Sequence, residues 1–242
     1  MIKMSLPRIL IVTPFRNESC SISHYLKSVK NVDYPKKLID LYWLENDSSD
    51  DTLKLLKEAK PKMPFNSTIL KPIKIHGPTQ KREPGQYVKG SRKRARKAWL
   101  VIWNKYFLPL ARRTDHEYVL FWYADAVAPP TVITEYLKVF DEYPAGWVGG
   151  KMHRRYPRHE EILSPWPRSL GAQRVNHPHE CLLTGHVFMI PRTPLCKCRF
   201  YSVAKEMHYS IIHGLNKQRL KVFYQPTVYI EHVSTDGKIH TA

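Results

Sequence analysis

The strongest constraint on the fold of this chain is an apolar run that stops at an acidic residue. Residues 118–123 are all apolar or aromatic, which predicts a strand buried on both faces, as in the middle of a parallel sheet. Asp125 follows this run, and Pro129 and Pro130 then exclude further sheet pairing. Because ligands of open α/β sheets bind at the carboxyl ends of the strands, Asp125 is well placed to hold a divalent cation. The alternative interpretation is that Asp125 only begins a turn.

Strand and helix patterns alternate along the rest of the chain. An order of strands separated by helices predicts an α/β sandwich with a largely parallel sheet. The predicted strands are 9–12, 38–44, 67–75, 118–123, 147–150, 187–190, 221–224 and 228–230, and helical periodicity appears near 22–29, 53–56, 91–110, 131–140 and 203–215. The 242 residues are enough to form a sizeable core within one domain.

The composition indicates a protein with anionic partners. Its 39 basic and 21 acidic residues give a formal net charge of +18, which suits nucleic acid, phosphorylated ligands or an acidic membrane surface. The four cysteines lack zinc-type pairing, so we expect reduced thiols. Apolar runs are too short to span a membrane, and Pro7 and Arg8 interrupt any signal-peptide pattern. We therefore expect a cytoplasmic protein that can touch a membrane through its basic surface.

Two further strands are followed by polar segments. Residues 13–18 come directly after the first strand, and residues 45–52 come after the second. Since the carboxyl ends of parallel strands share one edge of a sheet, we expect the two segments to lie together near Asp125. The alternative is that residues 46–48 form an ordinary turn without a ligand.

These motifs together resemble those of the GT-A fold glycosyltransferases, most closely the inverting family 2 enzymes and their mannosyltransferase relatives. The resemblance implies a Rossmann-like GT-A α/β/α sandwich with a mostly parallel central sheet, as a single domain over residues 1–242. It implies a nucleotide-binding half at about 8–128 and an acceptor-binding half at about 129–242. The matching segments are TPFRNE at 13–18, YPKKLI at 34–39, ENDSSDDT at 45–52, YADAVAPP at 123–130 and EHV at 231–233.

The resemblance also implies an activity, namely metal-assisted transfer of a sugar from a UDP- or GDP-linked donor to an acceptor hydroxyl, with inversion. In such enzymes the first two loops hold the nucleotide, and an Arg at the start of a later helix reaches the diphosphate. The alternatives for the basic helix start at 92–97 are a solvated surface or binding of nucleic acid or acidic lipid. The acceptor could be a glycan, a lipid or a protein. The implied donor-binding residues are Thr13, Pro14, Arg16, Glu18, Glu45, Asn46, Asp47, Arg94, Arg96, Ala124 and Asp125.

The metal site implied by the resemblance departs from the family pattern at one position. The DxD motif of these enzymes corresponds to residues 123–125, where Asp125 supplies the second acid and Tyr123 stands in place of the first. His232 matches a late His that ligates metal in many GT-A enzymes, and Asp125 with His232 would suit Mn²⁺ or Mg²⁺. The alternative for His232 is a strand-end residue packed on Tyr229.

The catalytic base is placed by resemblance at the start of a late helix. Glu206 is the first candidate and His208 the second, and the alternative is that both are ordinary surface residues of that helix. The other histidines lie in or near an irregular region, and their spacing matches no standard zinc motif, so the sequence predicts no metal cluster there. These are His153, His159, His177, His179 and His186.

Two other functions are compatible with the sequence. Replacement of the first DxD acid by Tyr123 could leave a protein that binds nucleotide sugars but has weak or lost transferase activity. The charge of +18 could instead serve nucleic-acid binding. The chain lacks the interleaved aromatic and basic residues of single-strand binders, so nucleic acid is the less favoured partner.

Overall fold

Strands and helices alternate through the part of the chain that the computed structural model describes, which comprises residues 5–75, 98–152, 177–181, 186–201, 209–234 and 236–240. The strands are β1 (Ile9–Phe15), β2 (Ile39–Asn46), β3 (Ser67–Ile73), β4 (Tyr118–Trp122), β5 (Ala126–Val127), β6 (Ala145–Met152), β7 (His179–Cys181), β8 (Val187–Pro191), β9 (Lys221–Val233) and β10 (Ile239–His240). The helices are α1 (Ile22–Lys30), α2 (Thr52–Ala59), α3 (98–113), α4 (Val132–Glu142), α5 (Arg192–Cys196) and α6 (Tyr209–Asn216). None of the described helices is long and apolar enough to cross a membrane.

The ten described strands form one sheet with the order β10-β9-β6-β8-β4-β1-β2-β3, to which β5 and β7 add by pairing with β9. Strands β1 to β4 are parallel to one another, and β9 is parallel to β6. Strand β8 is antiparallel to both of its neighbours, β4 and β6. The strands β3, β2, β1, β4, β6 and β9 therefore run in one direction, which confirms the mostly parallel α/β sheet.

Helices cover both faces of the sheet. Along β1, Ile9 and Ile11 face one buried cluster while Leu10 and Val12 face the other, as expected for a strand at the centre of a sandwich. The first cluster receives side chains from α1, α2 and α4, and the second receives them from α3, α5 and α6. The α/β/α layering predicted from the sequence is thus confirmed.

Two strands extend further than the sequence predicted. Strand β1 continues to Phe15 and β2 continues to Asn46, so parts of both predicted loops belong to the sheet. The ladder pairs Phe15 with Glu45. Phe15 is buried and packs edge-on against Tyr25 at 5.2 Å between ring centroids, so a core contact keeps this segment in the strand. The polar loops begin at Arg16 and at Asp47.

Strand β9 was predicted as two separate strands, 221–224 and 228–230, and this was wrong. The two halves are one strand with an irregularity, because the pairing with β6 moves from Gln225, opposite Gly150, directly to Tyr229, opposite Lys151. Pro226 lies in the skipped segment, where it has no ladder hydrogen bond to donate.

Several sequence predictions lie outside the described residues. These are the loop 77–90, the first residues of the helix predicted at 91–110, most of the irregular region, and the start of the helix predicted at 203–215. The described parts of the two helices are α3 and α6. Within α3, residues Ile102–Phe107 form a π-helical segment, which the sequence pattern did not predict.

A buried polar network ties the starts of several strands together at the amino edge of the sheet. Asp40, near the start of β2, accepts hydrogen bonds from Arg8 at 2.9 Å and from His116 Nε2 at 2.6 Å through one oxygen. Its other oxygen accepts from Asn66 Nδ2 at 2.7 Å and from Ser67 Oγ at 2.5 Å. Burial raises the pKa of Asp40, but the hydrogen bonds outweigh burial and hold the pKa below its ordinary value.

Asp40→Asn should lower the free energy of unfolding by about 2–4 kcal/mol at pH 7, because hydrogen bonds to a buried charge are lost. The folded-state pKa is depressed, so this contribution is present above the unfolded-state value of about 3.9 and is lost as the pH falls through the folded-state pKa. Urea unfolding of both proteins from pH 7 downward measures the difference, which should shrink on acidification.

The matched control is Asp115→Asn. Asp115 also pairs with Arg8, at 2.6 Å, but its side chain is 75% exposed. We expect this variant to change the free energy of unfolding by less than about 0.5 kcal/mol, since exposed ion pairs contribute little. Equal losses in the two variants at pH 7 would contradict the assignment of the network as a stabilising element.

Candidate functional site

Three side chains with metal-ligating atoms converge at the carboxyl edge of the sheet. Asp125, His186 and His232 each offer a ligand atom, and these atoms all lie within 4.8 Å of one another. His232 Nε2 lies 3.2 Å from Asp125 Oδ2, and His186 Nδ1 lies 3.8 Å from Asp125 Oδ1. The side chains of Asp125, His186 and His232 are 16%, 27% and 4% exposed, so the group is largely shielded and His186 is its most accessible member.

His186 reaches this site because β8 runs against β4. Val187, the first residue of β8, pairs with Trp122, the last residue of β4. His186 therefore lies opposite Tyr123, and the Tyr123 N–H donates to the His186 carbonyl at 2.8 Å. The antiparallel direction of β8 brings its amino end to the edge where the parallel strands have their carboxyl ends.

His232 reaches the site through a second pairing. In the two-residue ladder between β5 and β9, His232 lies opposite Ala126, which follows Asp125. The Val233 N–H donates to the Asp125 carbonyl at 2.8 Å and fixes the backbone at this point. Strand β5, which the sequence did not predict, is thus the element that joins the acid to the late histidine.

The electrostatics of the group suit a divalent cation. Burial alone would raise the pKa of Asp125, but the neighbouring imidazoles of His186 and His232 outweigh it and hold the pKa well below its ordinary value. The Asp125 side chain is therefore a carboxylate at neutral pH. Among the described residues, Nδ1 of each histidine is buried without a hydrogen-bond partner.

The geometry also fits a bound metal ion. Two ligand atoms that are each about 2.1 Å from a metal ion lie about 3 Å apart when they meet at a right angle. The distance of 3.2 Å between His232 Nε2 and Asp125 Oδ2 is close to this value. One carboxylate and two imidazoles, with His232 Nε2 facing Asp125 and His186 Nδ1 free of other hydrogen bonds among the described residues, form a chemically reasonable site for a divalent transition metal ion.

The two polar loops are fastened to each other. Asn17 has a left-handed backbone with φ of 53°, and its Oδ1 accepts from the Ser49 N–H at 2.8 Å. The Asn17 N–H donates to Ser48 Oγ at 3.0 Å, and the Glu18 N–H donates to Thr52 Oγ1 at 2.8 Å. Because β1 lies between β2 and β4, this paired loop unit lies beside the segment that carries Asp125.

Three of the predicted donor-binding residues are buried and bonded within the protein. Thr13 shares a hydrogen bond with the Tyr25 hydroxyl at 2.9 Å, and Glu45 Oε1 accepts from the Ser48 N–H at 2.7 Å. Asn46 Oδ1 accepts from the backbone after β3 at 3.4 Å. These contacts give the three side chains a role in shaping the loops, and their contact with a nucleotide stays a prediction.

Other predicted donor-binding residues lie at the accessible edge. Asp47 has a left-handed backbone with φ of 54°, and its side chain is partly exposed, as are those of Pro14, Arg16 and Glu18. Ala124 is buried beside Asp125. The structure thus places Asp125 and His232 together as predicted, and the donor-binding roles stay predictions. Four predicted site residues lie outside the described residues: Arg94, Arg96, Glu206 and His208.

His186 was not predicted as a site residue. The spacing of the histidines in the irregular region matches no metal motif, but the partners of His186 come from other strands. Only its position directly before the apolar run 187–190 pointed to a strand end, and the direction of that strand was not predicted. His153 and His159 lie outside the described residues.

Solved structures of known proteins share the fold. Residues 1–349 of S. aureus TarS superpose with a TM-score of 0.56 at 14% identity, covering 91% of this chain and 60% of TarS. The same TarS fragment in complex with UDP-GlcNAc gives 0.55 at 16% identity, over 90% and 58%. The mannosyltransferase PcManGT from Pyrobaculum calidifontis, in complex with GDP-Man and Mn²⁺, gives 0.61 at 14% identity, over 95% and 58%.

These likenesses show a GT-A fold, and the chain spans about three fifths of the length of the structures it matches. No curated protein sequence is significantly similar to it. A family model does match, and it covers residues 3–142, from the segment before β1 to the end of α4. This match takes in both polar loops and Asp125, and it extends over more than half of the 242 residues. The chain therefore belongs to the Anp1 family.

Proposed function

We propose that the protein is a glycosyltransferase that moves a sugar from a nucleotide-sugar donor to an acceptor hydroxyl. The observation that carries this proposal is the common position of the paired loops and the Asp125–His186–His232 group at one edge of the sheet. In open α/β sheets this edge is the ordinary place for a nucleotide. Membership of the Anp1 family, which is of the mannosyltransferase type, supports it.

The donor is proposed to be a UDP- or GDP-linked sugar. TarS has been solved with UDP-GlcNAc and PcManGT with GDP-Man and Mn²⁺, so both classes of nucleotide occur among proteins of this fold. In this chain, residues 16–18 and Asp47 would form the walls of the nucleotide site. The mutual hydrogen bonds of the loops would hold those walls in place before the ligand arrives.

A cation is proposed at Asp125 and His232, with Mn²⁺ or Mg²⁺ as the candidates. When bound, it would neutralise charge on the diphosphate as that group leaves the sugar. The protein contributes a carboxylate that stays ionised at neutral pH and a largely shielded site that strengthens its interaction with charge.

The acceptor is proposed to be activated by a base on the segment before α6. Glu206 would take the proton of the acceptor hydroxyl, and His208 is the second candidate. The acceptor oxygen would then form a bond to the anomeric carbon while the bond to the diphosphate breaks, and the nucleoside diphosphate would leave with the electron pair. Attack from the side opposite the leaving group would invert the anomeric centre.

We also propose that the chain forms a single domain. A single domain is supported by β6 and β9 of the proposed acceptor half, which join the same sheet as β1 and β4 of the nucleotide half. A cytoplasmic location and peripheral contact with an anionic membrane stay predictions. Loss of transferase activity with retained nucleotide binding is the first rival function, and nucleic-acid binding is the second.

A nucleoside diphosphate with Mn²⁺ should stabilise the protein against heat, because it binds the folded state alone. At a ligand concentration of 100 times Kd, the gain is about 2.7 kcal/mol, or roughly 5–10 °C in Tm for a chain of this size. Differential scanning fluorimetry with UDP and GDP measures this shift. Arg16→Ala and Asp47→Asn should each reduce it, and Asp47→Asn keeps a residue type that tolerates the left-handed backbone.

Asp141→Ala is the control for these variants, since Asp141 is exposed near the end of α4, at the opposite edge of the sheet. It should leave the nucleotide-dependent shift unchanged. If neither nucleotide stabilises the wild-type protein in the presence of Mn²⁺, the donor site is wrong, whereas a shift with no sugar transfer would favour the binding-protein alternative.

Glu206→Gln should reduce kcat by roughly 10²-fold or more while leaving the nucleotide-dependent shift in Tm nearly intact, because a base acts on the acceptor and not on donor binding. Transfer of radiolabelled sugar from the donor that stabilises the protein most is the assay. The assignment of the base is overturned if His208→Ala abolishes transfer and Glu206→Gln leaves kcat near the wild-type value.

A further inference from the structure

Resting on the proposed function, we propose that His186 is a direct metal ligand that takes the place of the acid missing at Tyr123, and that it makes the site select transition metal ions over Mg²⁺. The ligand set would then be one carboxylate, Asp125, and two imidazoles, His186 and His232. This ligand set differs from the Asp125–His232 pair predicted from the sequence.

The position of His186 supports the first part of this inference. Its Nδ1 lies 3.8 Å from Asp125 Oδ1, which is too far for a hydrogen bond but a suitable separation for two ligands of one ion. The ring centroids of His186 and His232 are 5.3 Å apart. His186 Nδ1 is buried, and within the described part of the chain it neither accepts nor donates a hydrogen bond, so this nitrogen is available to a metal ion.

Tyr123, which stands at the position of the missing acid, also holds His186 in place. The His186 backbone is left-handed, with φ of 64°, a conformation that is uncommon outside glycine and marks a constrained position. The Tyr123 N–H bonds to its carbonyl, and the Tyr123 ring packs edge-on against the imidazole with centroids 4.9 Å apart. The Trp99 ring in turn packs against Tyr123, with centroids 5.3 Å apart. The imidazole is thus fixed before any ion binds.

The chemistry of the three ligands carries the second part. Carboxylate oxygens and water suit Mg²⁺, whereas imidazole suits later first-row transition ions, whose affinity for a nitrogen site rises from Mn²⁺ to Co²⁺ and beyond. A site with two carboxylates would hold Mg²⁺ well, but the described residues of this group supply one, Asp125. Two imidazoles with one carboxylate, and positions left open for phosphate oxygens, therefore favour Mn²⁺ and Co²⁺ over Mg²⁺.

The experiment is calorimetric titration of the full chain with MgCl₂, MnCl₂ and CoCl₂ in the presence of saturating GDP or UDP, with the visible spectrum of bound Co²⁺ as a second readout. In His186→Asp, the carboxylate oxygens are bonded to Cγ, as Nδ1 is in histidine, so a carboxylate ligand replaces the nitrogen at the same distance from the backbone. His186→Asn is the matched variant, which removes the imidazole nitrogen without adding a negative charge. Both residue types tolerate a left-handed backbone, so neither change forces a new loop conformation.

Wild type should bind Mn²⁺ and Co²⁺ more tightly than Mg²⁺. His186→Asn should weaken Co²⁺ binding by about tenfold or more and shift the Co²⁺ spectrum, since a nitrogen ligand is lost. His186→Asp should lower the ratio of Mn²⁺ to Mg²⁺ affinity by about tenfold. The exposed His213 on α6 supplies a control, His213→Asp, which adds the same charge and should leave the ratio unchanged.

Failure of this inference can be separated from failure of the proposed function by Asp125→Asn. If that variant loses metal binding while both His186 variants keep the wild-type affinities and spectrum, His186 is not a ligand and the rest of the site stands. If Asp125→Asn binds each ion as tightly as wild type with nucleotide present, both this inference and the proposed cation site are overturned.

Discussion

The antiparallel pairing of β8 with β4 is the interaction on which the candidate site depends. Strand β4 is the centre of the sheet, with β1 on one side and β8 on the other, and its side chains from Val119 to Trp122 are fully buried. Because β8 runs against it, the start of β8 meets the end of β4, and His186 comes to face Asp125. A parallel β8 would have sent the same histidine to the opposite edge, where the Asp40 network lies.

Hydrogen bonds within the protein also hold the other segments of the carboxyl edge beside the contact between the start of β8 and the end of β4. The loops after β1 and β2 bond to each other, and the β5–β9 pair fixes the backbone between Asp125 and His232. Side chains such as Thr13 and Glu45 are used to build these loops, which leaves the exposed groups at the edge to meet a ligand. A site assembled in this way loses little conformational freedom when a charged ligand binds, which favours affinity.

The sequence was sufficient for the fold class because the strands β1, β2 and β4 are short apolar runs followed by polar segments, a pattern typical of open parallel α/β sheets. It was also sufficient to bring Asp125 and His232 together, through resemblance. It did not reveal the direction of β8, since the apolar run 187–190 looks the same in either orientation. For the same reason the role of His186 was missed. The bulge in β9 was hidden by Pro226, whose usual meaning is the end of a strand.

We infer that Asp125, His186 and His232 together hold a divalent transition metal ion at the nucleotide site. The most direct test is anomalous diffraction at the manganese edge from crystals grown with Mn²⁺ and a nucleoside diphosphate. We predict one manganese peak at about 2.0–2.3 Å from a carboxylate oxygen of Asp125 and from a ring nitrogen of each histidine, with the remaining positions filled by phosphate oxygen and water. A manganese ion bound to the nucleotide and Asp125 with both imidazoles outside ligand distance, or bound elsewhere in the protein, would contradict this ligand set.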